Sequence, residues 1–245
     1  RGRHKASRDT PRVMLRQPIS RDDVRIRGIA YCVIRIIGTL PALHRWIDLR
    51  RYERNGAPIP IQTKRGCVYK CVYCTYRNVE GWGYRTRDPE RVADEIEELH
   101  RVARVKSFDF VDSTFNSPPG HAIEVCEAII RRKLKVHLDT TNFTPATASD
   151  ELLSVMRRAG FRTLGITAES ASDPVLGRLE KGFTAAKARE VAERVERFGI
   201  RTLWIFLVGG PGETLETLEE TLRFAEWRLN RGDAVYVTVG LRIYP

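Results

Sequence analysis

The 245-residue sequence contains few cysteines and no long apolar run. No stretch reaches the ~18 consecutive apolar residues that a membrane-spanning helix needs, so we expect no membrane span. The 5 cysteines are too sparse, and odd in number, for a disulfide framework, and no secretory signal is visible. These absences argue against a membrane-embedded protein and a small disulfide-rich protein. They favour a globular domain, for which a hydrophobic content of 42% supplies a core.

Three of the cysteines stand close together, in the segment Arg65-Gly66-Cys67-Val68-Tyr69-Lys70-Cys71-Val72-Tyr73-Cys74. Their spacing is C-x3-C-x2-C, with an aromatic residue directly before the last cysteine. A structural zinc site needs four ligands, usually as two separated pairs, but Cys32 and Cys126 are isolated. Three thiolates can instead hold three irons of a [4Fe-4S] cluster and leave the fourth iron open to a small molecule. The spacing therefore predicts a reactive cluster.

The net charge of +11 is concentrated at the amino-terminal end. Residues 1–65 hold 16 Lys+Arg and 5 Asp+Glu, whereas residues 66–245 hold 26 of each. Such a segment is either an arm for nucleic acid or a solvated linker. We favour the linker, because the arginines are scattered among Val, Ile and Leu, although nucleic acid stays open as a partner. We predict a basic linker segment over 1–55, the remnant of an upstream domain, and a catalytic core over 56–245.

After the cysteine motif, predicted strands and amphipathic helices alternate along the chain. Strands alternating with helical crossovers are typical of a parallel sheet. The sequence therefore predicts an α/β fold, a partial (β/α)6 TIM-like barrel with parallel strands, preceded by the basic segment. The predicted strands cover residues 59–63, 107–112, 136–141, 163–168, 201–208 and 234–241.

Polar or glycine residues follow the predicted strands at the points where the strands end. The carboxyl ends of parallel strands meet at one edge of a barrel, where barrel enzymes place their chemistry, so we expect these residues near the cysteine loop. Each of them alone also fits a helix cap or a turn. The candidates are Asp112 and Ser113, Thr141 and Asn142, Glu169 and Ser170, Gly209 and Gly210, and the segment Arg242-Ile243-Tyr244.

The cysteine motif resembles the C-x3-C-x-aromatic-C signature of the radical S-adenosylmethionine superfamily. The residues in the signature positions are Cys67, Cys71, Tyr73 and Cys74. The resemblance covers about residues 40–245 and includes the segments 62–66, 165–170, 209–214 and 240–245. These segments are similar to the branch that carries an N-terminal cobalamin-binding domain. The partial (β/α)6 barrel of the family agrees with the predicted strands.

The resemblance implies that the three loop cysteines hold three irons and that S-adenosylmethionine chelates the fourth. Reductive cleavage of S-adenosylmethionine at the [4Fe-4S] cluster would give a 5′-deoxyadenosyl radical that abstracts a substrate hydrogen. Tyr73 would lie near the adenine, as would Ile243 and Tyr244. Asp112 and Ser113 would contact the methionine ammonium. Glu169 and Ser170 would contact the ribose hydroxyls or the ammonium. Gly209 and Gly210 would support the methionine and ribose side.

The branch implies methylation of an unactivated carbon or phosphorus, with cobalamin as the methyl carrier. The sequence departs from the family pattern at Ala168, where another residue is more common before Glu-Ser. It also has no D-x-H-x-x-G cobalamin signature, so a cobalamin domain would lie upstream of Arg1. The alternatives are an oxidative cyclase, a rearrangement, a tRNA methylthiolation, or an iron–sulfur electron-transfer protein. Expected partners are a small-molecule or biosynthetic-intermediate substrate and a reducing protein such as flavodoxin or ferredoxin. A strongly reducing cluster implies an oxygen-poor, cytoplasmic setting.

Overall fold

The computed structural model of the chain describes residues 43–241. In this range six parallel strands form one sheet in the order β1-β4-β5-β6-β7-β8, and two short strands, β2 and β3, form an antiparallel ribbon. The α/β fold with a six-stranded parallel sheet is therefore confirmed. The strands are β1 (Ile59–Ile61), β2 (Lys64–Arg65), β3 (Arg85–Thr86), β4 (Ser107–Phe110), β5 (His137–Phe143), β6 (Phe161–Glu169), β7 (Arg201–Val208) and β8 (Ala234–Val239).

Helices connect the strands of the sheet, and several begin at a residue whose side chain caps the first turn. The Asp88 carboxylate accepts from the Glu90 N–H at the start of the helix Pro89–Ala103, and the Thr184 hydroxyl accepts from the Lys187 N–H at the start of the helix Ala185–Arg197. Two short 3-10 helices cover Leu43–Arg45 and Pro145–Thr147. The α-helices are α1 (Leu49–Arg54), α2 (Tyr76–Glu80), α3 (Pro89–Ala103), α4 (Pro119–Arg131), α5 (Asp150–Ala159), α6 (Asp173–Arg178), α7 (Ala185–Arg197) and α8 (Leu215–Leu229). No helix in this range is long and apolar enough to cross a membrane.

The apolar core lies between the sheet and the helices that pack on its outer face. Alternate residues of β4 are buried: Phe108 and Phe110 belong to the apolar core, whereas Ser107 and Asp109 are half-buried. Phe110 contacts the rings of Phe115 and Phe161, with ring centroids 4.7 and 5.5 Å apart. Burial of one such ring contributes roughly 2–3 kcal/mol to stability. This packing ties the carboxyl end of β4 to the first residue of β6 and to the loop that carries Phe115.

Five of the six predicted strands end at a different residue in the structure, and three of these shifts bear on the site. The strand predicted over 107–112 ends at Phe110, which leaves Asp112 in the following loop. The strand predicted over 136–141 continues to Phe143, so Thr141 and Asn142 lie inside β5 rather than after it. The strand predicted over 163–168 ends at Glu169. Breaks in the parallel register between Thr140/Phe143 and Thr167/Glu169 account for the last two shifts, since a bulge lets a strand continue with its side chains redirected.

Helix α1 lies within the segment that the sequence assigns to the basic linker. Leu49 is buried in the core, and the Glu53 carboxylate accepts hydrogen bonds from the N–H groups of Lys106 and Ser107, at 2.5 and 2.8 Å. This part of the chain therefore packs against the start of β4. The division at residues 55 and 56 stays a prediction.

Candidate active site at the cysteine loop

The cysteine loop follows β1 and β2 and begins at a glycine that the backbone requires. Gly66 has φ +90°, and a Cβ built on it would lie 2.0 Å from the Gly83 carbonyl oxygen. Only glycine combines this dihedral angle with so close an approach of two backbone segments. The next residue, Cys67, donates its N–H to the Gly81 carbonyl at 3.1 Å. The loop is thus held against the turn that follows α2.

The three loop cysteines line one cavity of about 150 Å³. All three are free thiols; Cys67 is buried, while Cys71 and Cys74 are half-buried. Burial raises the pKa of the Cys71 thiol, and the nearby Lys181 ammonium opposes that rise. The structure therefore brings the three predicted ligands to one cavity.

In the same cavity, Tyr73, Glu169 and Lys181 form a hydrogen-bonded group. The Tyr73 hydroxyl donates to Glu169 Oε1 at 2.7 Å, and Lys181 Nζ donates to the Tyr73 hydroxyl at 2.9 Å. Lys181 Nζ also lies 3.5 Å from Glu169 Oε1, with both side chains at least nine-tenths buried. Burial, and then the Glu169 charge, raise the pKa of Tyr73, so the tyrosine stays protonated and acts as a donor. The cavity therefore carries one carboxylate and one ammonium group.

The backbone at Glu169 is strained, and this strained residue lines the cavity. Glu169 has φ +67°, which is uncommon for a residue with a side chain, and it stands at the register break between β6 and β7. The bulge turns the Glu169 side chain toward Tyr73 and the cavity. Strained residues of this kind concentrate at functional sites, because the surrounding structure must hold them in place.

Asp112 and Ser113 have different surroundings, although they are adjacent in sequence. Ser113 lines the cavity, and its hydroxyl donates to the Gly66 carbonyl at 2.7 Å. The Asp112 carboxylate is fully buried and is bonded to Thr63 and Lys64. A direct contact between Asp112 and a ligand stays a prediction, and these bonds do not favour it, because they direct the carboxylate away from the cavity.

The remaining predicted residues are not brought together with the cavity by the described structure. Ser170 is buried, its hydroxyl 3.0 Å from that of Thr221. Gly209 begins the loop after β7, where its N–H donates to the Glu213 carboxylate. Gly210 packs near Leu179, a residue whose carbonyl accepts the Val72 N–H of the cysteine loop at 3.3 Å. Ile243 and Tyr244, which are predicted to lie near the adenine, are outside the described residues.

Sequence reasoning missed Lys181, which is 5% exposed and sits at the centre of the site. It lies between α6 and α7, in a connection that carries no strand-end signal. A lysine in the segment Lys181-Gly182-Phe183-Thr184 reads as an ordinary surface residue. The polar side chains that complete the lining are Ser113, Thr114, Asn142, Thr144 and Thr167.

The donor set fits a cluster better than a single metal ion. Among residues 43–241, no three His, Cys, Asp or Glu side chains are grouped closely enough to hold one ion. Zinc would need its sulfur ligands ~2.3 Å from one centre. A cubane cluster binds each cysteine through a separate iron, so its ligands stand farther apart. Three free thiols lining one cavity, with Tyr73 inserted between the second and third in sequence, suit that arrangement.

The chain was compared with known protein families and curated proteins. A model of the radical SAM superfamily matches residues 61–225. The chain is 29% identical over 181 residues to an uncharacterized methyltransferase of Pyrococcus horikoshii. This match covers 74% of this chain and 39% of that protein. It is 34% identical over 183 residues to the anaerobic magnesium-protoporphyrin IX monomethyl ester cyclase of Cereibacter sphaeroides. This match covers 72% of this chain and 30% of that protein.

Among solved structures, the chain resembles the radical S-adenosylmethionine methyltransferase TsrM from Kitasatospora setae, with cobalamin and a [4Fe-4S] cluster bound. The TM-score is 0.73 and the identity 27%, over 81% of this chain and 37% of that chain. The chain therefore spans well under half the length of each of these three relatives.

Proposed function

Because the chain belongs to the radical S-adenosylmethionine superfamily, we propose that it is the core of a cobalamin-dependent methyltransferase acting on an unactivated centre. The observation that carries the proposal is one cavity that three free cysteines line together with Glu169 and Lys181. Cysteine thiolates are the ligands that iron–sulfur clusters prefer, and a carboxylate with an ammonium suits a zwitterionic ligand.

Cys67, Cys71 and Cys74 would hold a [4Fe-4S] cluster, and the ligand at its open iron would be S-adenosylmethionine. When bound, the reduced cluster supplies the electron that cleaves the sulfonium bond, and cobalamin supplies the methyl carrier. Cobalamin binding by this chain is a proposal that rests on the likeness to TsrM, whose structure contains it.

Charge complementarity supports separate roles for Glu169 and Lys181 at the ligand. The Lys181 ammonium would donate to the methionine carboxylate, whereas the Glu169 carboxylate would accept from the ammonium or from the ribose hydroxyls. Tyr73 keeps both groups in place, because its hydroxyl contacts each of them. These three side chains would orient the ligand.

Aromatic side chains around the cysteines would limit the entry of water. Tyr69, Tyr73 and Tyr76 all line the cavity beside the thiols. Exclusion of water matters because a carbon radical needs a dry site to avoid side reactions. The reducing partner, a flavodoxin or ferredoxin, and the cytoplasmic setting stay predictions.

The test uses anaerobically reconstituted protein incubated with S-adenosylmethionine and dithionite. Release of 5′-deoxyadenosine supports radical cleavage, and S-adenosylhomocysteine formed only when cobalamin is added supports methyl transfer. A mononuclear metal, or a four-iron cluster whose electron paramagnetic resonance spectrum is unchanged by S-adenosylmethionine, would contradict the proposal.

A second function is favoured by the 34% identity to the anaerobic cyclase. A cyclase would retain the cluster and the ligand site but would oxidise its substrate rather than methylate it. In the same assay a cyclase would release 5′-deoxyadenosine without cobalamin-dependent S-adenosylhomocysteine. A rearrangement would give the same result, so substrate identification would then separate it from a cyclase. Methylthiolation would take its methyl group from a second S-adenosylmethionine and would therefore also form S-adenosylhomocysteine without added cobalamin.

A further inference from the structure

A buried ion pair lies directly before the cysteine loop. The Lys64 ammonium and the Asp112 carboxylate are 3.1 Å apart, and both side chains are 0% exposed. Taking either charge out of water alone would cost several kcal/mol, so each charge needs the other. Lys64 belongs to β2 and Asp112 follows β4, and the pair therefore joins these two elements at the edge of the sheet where the cysteines lie.

The hydrogen bonds of the Asp112 carboxylate are all internal to the protein. It accepts from the Thr63 N–H at 2.7 Å, the Thr63 hydroxyl at 2.6 Å and the Lys64 N–H at 3.1 Å, in addition to the ammonium. The Lys64 ammonium also donates to the Phe115 carbonyl at 2.8 Å. With four donors on its two oxygens, the carboxylate is satisfied where it stands. A role through its charge is therefore better supported than a role as a ligand contact.

The pair lies next to the cysteine loop. Lys64 stands three residues before Cys67, which is itself buried. Ser113, the neighbour of Asp112, donates its hydroxyl to the carbonyl of Gly66, the residue before Cys67, at 2.7 Å. Burial lowers the pKa of Lys64, while the charge of Asp112 opposes that change. Screening is weak between buried groups, so a charge here acts strongly on whatever the cysteine holds.

We propose that Lys64 and Asp112 tune the reduction potential of the cluster in opposite directions through their charges, with Lys64 stabilising the reduced form. The proposal rests on the proposed function, because it needs a cluster on Cys67. Net charge and solvent exposure are among the factors that set the potential of iron–sulfur clusters. Reduction adds a negative charge, which a nearby ammonium stabilises and a nearby carboxylate destabilises. Both residues act through the cysteine loop and not by contact with substrate.

The test compares the Lys64→Met and Asp112→Asn variants with the double variant that carries both changes. Each protein is reconstituted anaerobically and titrated without S-adenosylmethionine, with electron paramagnetic resonance of the reduced cluster as the readout. We expect Lys64→Met to shift the midpoint potential to more negative values and Asp112→Asn to shift it to more positive values. The double variant removes both charges, so its potential should return close to that of the parent protein.

A matched control comes from a second buried ion pair, Arg228 with Asp233. Arg228 is 2% exposed, and its Nη2 lies 2.5 Å from Asp233 Oδ2. The pair stands ahead of β8, at the amino ends of the strands and away from the cysteine loop. Arg228→Met and Asp233→Asn should lower stability without moving the potential. A control shift as large as that of Lys64→Met would contradict the proposal.

A purely structural role for the ion pair predicts a different pattern. Both single variants would then lose iron and sulfide together, and the potential of any remaining cluster would be unchanged or would move in one direction. If Lys64→Met fails to fold, Asp112→Asn is compared with the double variant, which must have the lower potential. An equal potential in those two proteins would overturn the proposal. Failure of the parent protein to assemble a four-iron cluster would instead contradict the proposed function.

Discussion

The Tyr73 hydroxyl and Glu169 Oε1 are joined by a 2.7 Å hydrogen bond between residues 96 positions apart in sequence. Tyr73 belongs to the cysteine loop and Glu169 ends β6, so the bond connects these two parts of the cavity lining. Lys181 donates to the same tyrosine from a third segment. Three parts of the chain therefore meet at one hydroxyl group.

Replacement of Lys181 by methionine tests the ligand-binding role of that group. A hydrogen bond to a charged partner contributes roughly 1.5–3 kcal/mol, which corresponds to roughly 10- to 100-fold weaker binding of S-adenosylmethionine. Equilibrium dialysis with the reconstituted protein measures the affinity, and iron analysis should show an unchanged cluster. The exposed Lys135, replaced by methionine, is the matched control. Unchanged affinity in Lys181→Met would remove Lys181 from the site.

The strands and most helices could be predicted from local patterns, because the alternation of apolar and polar residues and the capping residues are visible within short segments of the sequence. Thr184, for example, caps α7 as its hydroxyl and position indicate. Lys181 and the inward turn of Glu169 could not be predicted in this way. Their positions depend on a bulge between β6 and β7 and on a connection between two helices. The burial of Asp112 was also unpredictable, since Lys64, its partner, is 48 residues away.

The cysteines differ in what their removal should do. Cys71→Ala should abolish both the cluster and the release of 5′-deoxyadenosine, because two thiolates remain where three are needed. Cys126 is fully buried in α4, where burial raises the pKa of its thiol and keeps it protonated. Cys126→Ala should therefore retain the cluster and lower only the free energy of unfolding. Iron and sulfide analysis separates the two, and full loading of Cys71→Ala would refute the ligand assignment.

We expect the carboxyl group of Asp109, which stands beside Asp139, to give the stability an unusual pH dependence. The two residues are paired in register on β4 and β5, and each has a buried Oδ1 without a hydrogen-bond partner in the described structure. Burial, with the Asp139 charge second, raises the pKa of Asp109 to about 6. The folded protein therefore holds this proton more tightly than the unfolded chain, whose Asp has a pKa of ~3.9. The contribution to stability is complete below pH ~4 and declines as the pH rises to about 6.

Asp109→Asn removes this titration. The variant should gain about 1 kcal/mol relative to the parent protein at pH 7, where the partly exposed carboxylate is charged and solvent moderates its cost. At pH 4 the two proteins should be close in stability. Urea unfolding across this pH range measures the difference, with the exposed Glu220→Gln as a control. A constant difference between Asp109→Asn and the parent at all pH values would count against a shared carboxyl environment.

Gly66→Ala tests whether the close approach of the backbone at the start of the cysteine loop is required. Gly56 is a matched control, since its φ of +81° resembles the +90° of Gly66, but a Cβ built there meets nothing within 4 Å. An alanine at a positive φ costs about 1–2 kcal/mol at either position. At Gly66 the methyl group would also collide with the Gly83 carbonyl and displace the loop. We therefore expect Gly56→Ala to assemble a full cluster with modestly reduced stability, whereas Gly66→Ala should lose most of its iron. Equal iron content in the two variants would mean that the loop tolerates the displacement, and that the cysteines reach the cluster without the Gly66 turn.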